Sequence, residues 1–321
     1  MIRVRVPGSS ANLGPGFDCF GLAWQCYNEI DFIPGGDGLR ITGCPEEFQN
    51  EENLAWVGFR TVLERCGIRR RDGLHIHFGP AEIPVCRGLG SSAALTVAGV
   101  AAANAVYKLG LSTDDLLDAG TAVEGHPDNI APSLCGGLTA SAMEGERAVT
   151  VSFPISGRLR FIGLVPDFEL STAKARAVLP EKVLRTDAIY NISRGALVLH
   201  ALGNGEVDLL RTAMDDRIHQ PYRWDLIHRG DFARRLALDC GAIGVCISGA
   251  GPTLLCVASD DSFLPVCRPR PPGIFPAGRY RNCRWTAWAS PAKKFNIIKT
   301  QHLVRNVFLP DEVLHIRLFY L

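Results

Sequence analysis

The sequence predicts an α+β protein of two domains followed by a tail, and three observations carry that expectation. The 321 residues exceed the roughly 100–200 of one typical domain. Strand patterns of period two and Ala-rich helical runs occur in the same chain. A fresh apolar strand pattern then begins at Arg158, after the glycine pair Gly136-Gly137 and its following strand-like run. The expected units are residues 1–155, 156–262 and an atypical segment 263–321.

The elements follow in chain order. Ile2, Val4 and Val6 alternate with Arg3 and Arg5, predicting a strand that delivers a Gly- and Pro-rich loop, Pro7 to Gly21, to a surface. A helix is expected around Glu52–Cys66 and a strand at Leu74–Phe78. Pro84-Val-Cys-Arg-Gly-Leu-Gly-Ser-Ser-Ala-Ala94 then opens onto an Ala-rich helix running to Lys108, which Gly110 can close because glycine tolerates positive φ. Ser112-Thr-Asp-Asp115 supplies cap residues for a further helix. In the second unit, Arg158–Pro166 reads as a strand, and helices are expected near Asp187–Leu202 and Val207–Met214. Cys240–Val257 reads as an apolar strand broken by Ser248-Gly-Ala-Gly-Pro-Thr253.

Composition excludes several classes. Thirty-four basic against 33 acidic residues leave a net charge of +1, so no global field favours nucleic acid or an anionic membrane. The 11 cysteines are scattered, with no CxxC pair, and read as reduced thiols of a cytoplasmic protein. The start runs into Pro7, Gly8, Ser9 and Ser10 instead of an apolar signal core. Two uncharged stretches, Gly88–Tyr107 and Cys240–Ser259, are interrupted by Gly, Ser and Pro and read as buried elements of a soluble protein.

Several short segments carry chemistry. Gly88-Leu-Gly-Ser-Ser-Ala93 can turn backbone N–H groups and a helix N-terminus onto a phosphate, or serve only as a cap on a buried helix. It lacks the Gly-Lys-Ser/Thr of a Walker loop, and Pro84 breaks the strand that a dinucleotide fold needs there. Glu124-Gly-His-Pro-Asp-Asn129 concentrates two carboxylates, an imidazole and an amide, which suits Mg²⁺ and a substrate hydroxyl but equally a helix cap. His75 and His77 share a strand face as a metal half-site without a second half, and read better as ordinary strand positions. Arg176 and Arg223 could each fork onto a carboxylate or stand as solvated surface charges.

In order, these segments resemble the GHMP small-molecule kinases, and within them the branch acting on homoserine. The resemblance rests on Val4–Asp18, Pro84–Ala94, Glu124–Pro132, Thr172–Pro180, His219-Gln-Pro-Tyr-Arg223 and Ser248–Thr253. It implies an N-terminal domain of the ribosomal S5 domain 2-like fold, a ferredoxin-like C-terminal domain and an active site between them. It also implies ATP-dependent phosphorylation of the L-homoserine side-chain hydroxyl on the route to threonine, with Mg²⁺ as cofactor. By the same resemblance Pro84, Val85, Cys86, Arg87, Gly88, Leu89, Gly90, Ser91, Ser92, Ala93 and Ala94 cradle the ATP phosphates, and Ser92 and Glu124 hold Mg²⁺. Asn12 and Asp18 bind the substrate, with Asp18 suited to its amino group, and Arg176 and Arg223 clamp its carboxylate. Thr172 and His126 stand beside them, Asn129 lies near the reacting hydroxyl, and Asp128 is the local candidate for a base.

The resemblance leaves a homodimer open and implies no nucleic-acid or membrane partner. Another GHMP kinase, of mevalonate type, and a non-catalytic relative are the alternatives. Family members resemble one another in ending on a helix and a final strand of the second domain. After about Asp261 this chain shows no recognisable version of either: Pro265–Pro276 is proline-rich, Arg279–Arg284 is basic, and Phe295–Leu321 has no match.

Overall fold

The computed structural model describes residues 1–69, 72–259, 285–289 and 314–317. Among the described residues, eleven strands and nine α-helices appear in the order β1 (Ile2–Asn12), β2 (Gly16–Pro34), β3 (Leu39–Thr42), α1 (Leu54–Arg65), β4 (Leu74–Ala81), α2 (Ser91–Tyr107), α3 (Thr113–Glu124), α4 (Ile130–Cys135), β5 (Leu138–Glu144) and β6 (Arg147–Phe153). The second half continues with β7 (Arg160–Pro166), α5 (Thr172–Ala177), α6 (Arg185–Asn204), α7 (Val207–Ala213), α8 (Gln220–Arg223), α9 (Gly230–Asp239), β8 (Gly244–Ile247), β9 (Leu254–Ala258), β10 (Trp285–Ala289) and β11 (Leu314–Arg317).

Two sheets organise the chain. The first has the order β11-β1-β2-β4-β3, with β5 and β6 attached to β2. The second has the order β10-β7-β9-β8, which is the 4-1-3-2 order of a ferredoxin-like sheet. The fourth position is therefore filled: β10 pairs antiparallel with β7, from Trp285 opposite Pro166 to Ala289 opposite Ile162. The sequence after Asp261 shows no recognisable version of a final strand, yet the backbone supplies one at this position. Pro265–Pro276 and Arg279–Arg284 lie outside the described residues, as does Phe295–Leu321 apart from β11.

The stretch Pro7–Gly21 is also corrected. It is mostly strand: Ser9, Ser10 and Ala11 pair with Ala23, Leu22 and Gly21 of β2, leaving only 13–15 as the turn. Its glycines and prolines hid a ladder, because sparse apolar side chains leave no period-two signal. Elsewhere the expected elements stand within a few residues. Ser112 closes a capping box with Asp115 at the start of α3.

Helix α2 is apolar on nearly every side and lies buried against β1, α1, α3 and α4. Its small side chains permit a close approach to α1, so that a Cβ on Gly99 would run into the Ala55 carbonyl. The second sheet is covered on both faces, and its residues alternate accordingly. Val165, Cys246, Leu255 and Val257 join the core of the first half, together with Val198 and Leu202 of α6. Ile162, Leu164, Ile247, Leu254 and Cys256 form a separate core with α9. One hydrophobic core thus runs from the first sheet to one face of the second, fixing the seam where the loops of both halves meet.

Gly99→Ala tests the α1–α2 contact. Alanine improves intrinsic helix propensity by about 1 kcal/mol, whereas overpacking costs about 1–3 kcal/mol. The variant is expected to be less stable than wild type in urea denaturation. A gain in stability would show that α1 has room to move away.

Candidate active site

The phosphate-type loop is shaped by three left-handed residues, Cys86 (φ 53°), Gly88 (φ 72°) and Gly90 (φ 67°), the last being the N-cap of α2. A Cβ on Gly88 would strike the carbonyls of Ser248 and Gly251, so glycine allows the loop to seat on the turn between β8 and β9. That seat is hydrogen-bonded: Ser248 Oγ donates to the Gly88 carbonyl at 2.5 Å, and Thr253 N–H donates to the Arg87 carbonyl at 3.3 Å. The first-turn N–H groups of α2 have no helical acceptor and remain available to an anion. Val85, Cys86, Arg87, Gly88, Gly90, Ser91 and Ser92 line one cavity of about 560 Å³. Pro84, Leu89, Ala93 and Ala94 do not: Leu89, Ala93 and Ala94 are core residues that anchor the loop from below. The Arg87 guanidinium bonds the Pro166 and Asp167 carbonyls and pairs with Glu169 at 3.3 Å.

Ser92 Oγ, at the start of α2, donates to Glu124 Oε2, at the end of α3, at 2.7 Å. Two hard oxygen donors beside the loop fit Mg²⁺, which takes one or two protein oxygens and completes its octahedron with water and phosphate. A cation there is also favoured by the C-terminal end of α3.

Directly after Glu124, Gly125 caps α3 in the left-handed conformation and turns the chain into the His126–Asn129 corner. His126 Nδ1 donates to Asp128 Oδ1 at 2.6 Å, and Asp128 is only 2% exposed. Asn129 Oδ1 accepts from Ser9 Oγ at 2.9 Å, and Ser9 in turn accepts from Ser133 Oγ at 3.1 Å. Burial pulls the His126 imidazole down, but the Asp128 hydrogen bond and charge outweigh it, so His126 binds its proton more tightly than an ordinary histidine.

The opposite wall comes from both halves of the chain. Asp18, in a left-handed conformation (φ 56°), donates its N–H to Asn12 Oδ1 at 3.0 Å, while Asn12 Nδ2 donates to the Gly249 carbonyl at 2.9 Å. Arg176 of α5 forks onto the Asp18 carboxylate at 2.7 and 3.1 Å. Arg223 is different. It is 2% exposed, its Nε donates to the Ala175 carbonyl, and its Nη1 donates to the Gly249 carbonyl and to His219 Nδ1. Only Nη2 is left without a partner among the described residues, so the expected two-pronged fork on a carboxylate is reduced to one nitrogen. Burial, with Arg176 close by, pulls this guanidinium down to about 10.

Asn12, Asp18, Ser92, Glu124, His126, Asp128, Asn129, Thr172, Arg176 and Arg223 all line the one cavity. Ligand atoms of Asp18, His126 and Asp128 lie within 4.8 Å of one another, forming an anionic corner beside the two arginines. His75 and His77 are elsewhere, sharing the Thr42 hydroxyl at 2.7 and 3.0 Å. Two features escaped the sequence. The cavity also has apolar lining from Phe48, Leu54, Phe78, Ile83 and Leu95, drawn from segments that are remote in sequence. His219, which opens the His219-Gln-Pro-Tyr-Arg223 segment but to which the resemblance assigns no role of its own, is fully buried behind Arg223, four residues on.

Residues 53–137 match the family model described as GHMP kinases N terminal domain, and residues 198–263 match GHMP kinases C terminal. Together with the loop and the two sheets, these define a small-molecule kinase of the GHMP class. A homoserine kinase of Clostridium botulinum (strain Eklund 17B / Type B) is 42% identical over 260 residues, covering 81% of this chain and 87% of that protein. The crystal structure of homoserine kinase from Cytophaga hutchinsonii superposes with a TM-score of 0.77 at 27% identity, over 90% of this chain and 94% of its own. The mevalonate kinase of L. major, at 17% identity and a TM-score of 0.63 over 83% of this chain and 90% of its own, shares the fold alone. The chain belongs to the homoserine kinase family.

The His126–Asp128 pair yields a pH prediction. Because the folded-state pKa of His126 is raised, its stabilisation is complete below about pH 6.5, the unfolded value, and is lost as pH rises through the folded value. Asp128→Asn removes the charge and is expected to lower the His126 pKa, read by NMR titration of the imidazole, and to flatten that loss. An unchanged titration would show that Asp128 does not hold the proton.

Proposed function

We infer that the protein transfers the γ-phosphoryl group of ATP to the side-chain hydroxyl of L-homoserine, releasing O-phospho-L-homoserine and ADP. The observation that carries this reading is Arg223, a buried cation lining the cavity with no carboxylate in ion-pair contact among the described residues. An unpaired buried charge is costly, and a substrate carboxylate at Nη2 would compensate it. Asp18, beside Arg176, supplies the opposite charge for an α-ammonium. A zwitterionic head group satisfies both, whereas mevalonate carries no ammonium and would leave Asp18 with Arg176 alone. The 42% identity to homoserine kinase supports the same assignment.

In the mechanism this geometry supports, the N–H groups of the Gly88–Ser92 loop would hold the ATP phosphates, and Ser92 and Glu124 would hold Mg²⁺. When bound, Mg²⁺ neutralises charge on the transferring phosphoryl group. Arg176 and Arg223 take the α-carboxylate, with Thr172 beside them, and Asp18 takes the ammonium. Asn129, fixed by Ser9, orients the hydroxyl. His126 already occupies Asp128 Oδ1, which leaves Oδ2 as the oxygen to accept the hydroxyl proton. Alignment and charge stabilisation then supply most of the rate, since phosphoryl transfer asks little covalent chemistry of the protein. Both substrates are charged metabolites, which is consistent with a cytoplasmic enzyme; among the described residues no helix is long and apolar enough to cross a membrane.

ADP release with Mg·ATP tests the reading. Turnover is expected with L-homoserine and not with mevalonate or without acceptor. Turnover with mevalonate alone would overturn it. Arg176→Ala is expected to raise the homoserine KM about 30-fold, equivalent to about 2 kcal/mol. This is the low end for a lost charge contact, because the Arg176 side chain is 37% exposed. An unchanged KM would remove Arg176 from the head-group site.

A further inference from the structure

His219 joins the two sides of the head-group site through opposite ring nitrogens. Nε2 lies 2.8 Å from the Gly14 carbonyl, which can only accept, so Nε2 carries the proton. Nδ1 lies 3.2 Å from Arg223 Nη1, which can only donate, so Nδ1 is bare. The two contacts require one neutral tautomer. Asp216 Oδ2 stands 3.6 Å from Nε2, too far to compete as an acceptor, and is occupied by the backbone N–H groups of His219 and Gln220. Phe17 stacks on the imidazole with centroids 5.2 Å apart and an interplanar angle of 22°.

The contacts close a circuit. From Gly14, in the turn between β1 and β2, the path runs through His219 to Arg223, then to the Gly249 carbonyl, and back through Asn12 to the same turn. Asn12 accepts from the Asp18 N–H, so the residue assigned to the ammonium and the residue assigned to the carboxylate are held by one ring. His219 itself does not line the cavity.

Resting on the assignment of Arg223 and Asp18 to homoserine, we propose that His219 is a positioning residue for substrate recognition: its bare Nδ1 helps to fix Arg223 with Nη2 toward the carboxylate, while its Nε2–H fixes the turn from which β2 leads to Asp18. This differs from a structural histidine in consequence. Loss of the Nδ1 acceptor removes one of the two partners that hold Nη1, leaving the Gly249 carbonyl alone, and should weaken homoserine recognition while leaving ATP binding on the other wall unaffected.

Two substitutions separate the nitrogens. Asn at this position places an acceptor where Nδ1 was but does not reach Gly14. Gln places a donor near Gly14 but offers nothing to Arg223. His219→Gln is expected to raise the homoserine KM about 10-fold or more, as for loss of a hydrogen bond to a charged group, with kcat and the ATP KM within about threefold of wild type. His219→Asn is expected to recover most of the homoserine KM. Equal KM values in the two variants, the reverse order, or a matching rise in the ATP KM would overturn the proposal. Absence of homoserine turnover in wild type would instead overturn the functional assignment.

A measurement on the wild-type protein does not depend on either variant folding. In nitrogen-15 histidine NMR, the imidazole showing cross-peaks to the Phe17 ring is expected to be protonated at Nε2 and bare at Nδ1. A proton on Nδ1 of that ring would overturn the proposal directly.

Discussion

The short turn joining β1 to β2 is the constraint on which the site depends, and it is held from outside its own hairpin. Asn12 and Leu13 adopt left-handed backbone conformations (φ 72° and 46°), which cost roughly 1–2 kcal/mol each for a non-glycine residue. Within the hairpin, the Leu13 N–H bond to the Ala11 carbonyl and the Asp18 N–H bond to Asn12 Oδ1 offset part of that cost. Here the Gly249 N–H donates to the Ala11 carbonyl, Asn191 Nδ2 donates to the Pro15 carbonyl, and His219 reaches Gly14. All three donors belong to the second half of the chain. The strained turn, and with it the position of Asp18, is therefore a product of docking between the halves. The shared core built from alternate residues of the second sheet makes that docking rigid.

The phosphate side is bound to the same seam. The turn at Ser248–Thr253 touches Gly88 and Arg87 on one side and Ala11 and Asn12 on the other. A displacement of this turn would move the phosphate loop and the head-group wall together. This gives a physical reason for a kinase to spread its site over two domains: donor and acceptor are aligned by one common support. The charges are arranged to the same end. Arg176 is neutralised by Asp18, whereas Arg223 is held in place by carbonyls and a neutral imidazole. At Arg223 the substrate carboxylate meets a charge with no ion pair to break among the described residues, and at Arg176 and Asp18 its two charges share the existing half-exposed pair.

Much of this was legible in the sequence, and what was missed has common causes. The helix from Ser91, the capping box at Ser112 and the second-half strands carried clear periodicity or cap chemistry. The motif segments named ten polar residues that do share one cavity. Three kinds of feature escaped. Strand pairing at Ser9–Ala11 was hidden because glycine, serine and proline leave no alternating pattern. The apolar part of the cavity lining is assembled from residues that are remote in sequence and ordinary in type, such as Phe48 and Phe78. The partition of motif residues between ligand-facing and supporting roles depends on direction, which a motif does not encode. Leu89, Ala93 and Ala94 point into the core, Arg87 turns to the end of β7, and two of the three nitrogens of Arg223 serve the protein itself. Strand β10 shows the reverse: a backbone role in the second sheet filled by a segment for which the sequence predicted no element.

The central claim is that the cavity recognises both charges of an amino-acid head group at once. Calorimetric titration with L-homoserine, 4-hydroxybutanoate and 3-aminopropan-1-ol, in the presence of Mg²⁺ and a non-hydrolysable ATP analogue, tests it most directly. The two analogues lack the ammonium and the carboxylate respectively. The account predicts measurable binding of homoserine and a loss of at least about tenfold, or about 1.4 kcal/mol, for each analogue. Binding of 4-hydroxybutanoate as tight as that of homoserine would contradict the role of Asp18, and equal binding of 3-aminopropan-1-ol would contradict that of the two arginines.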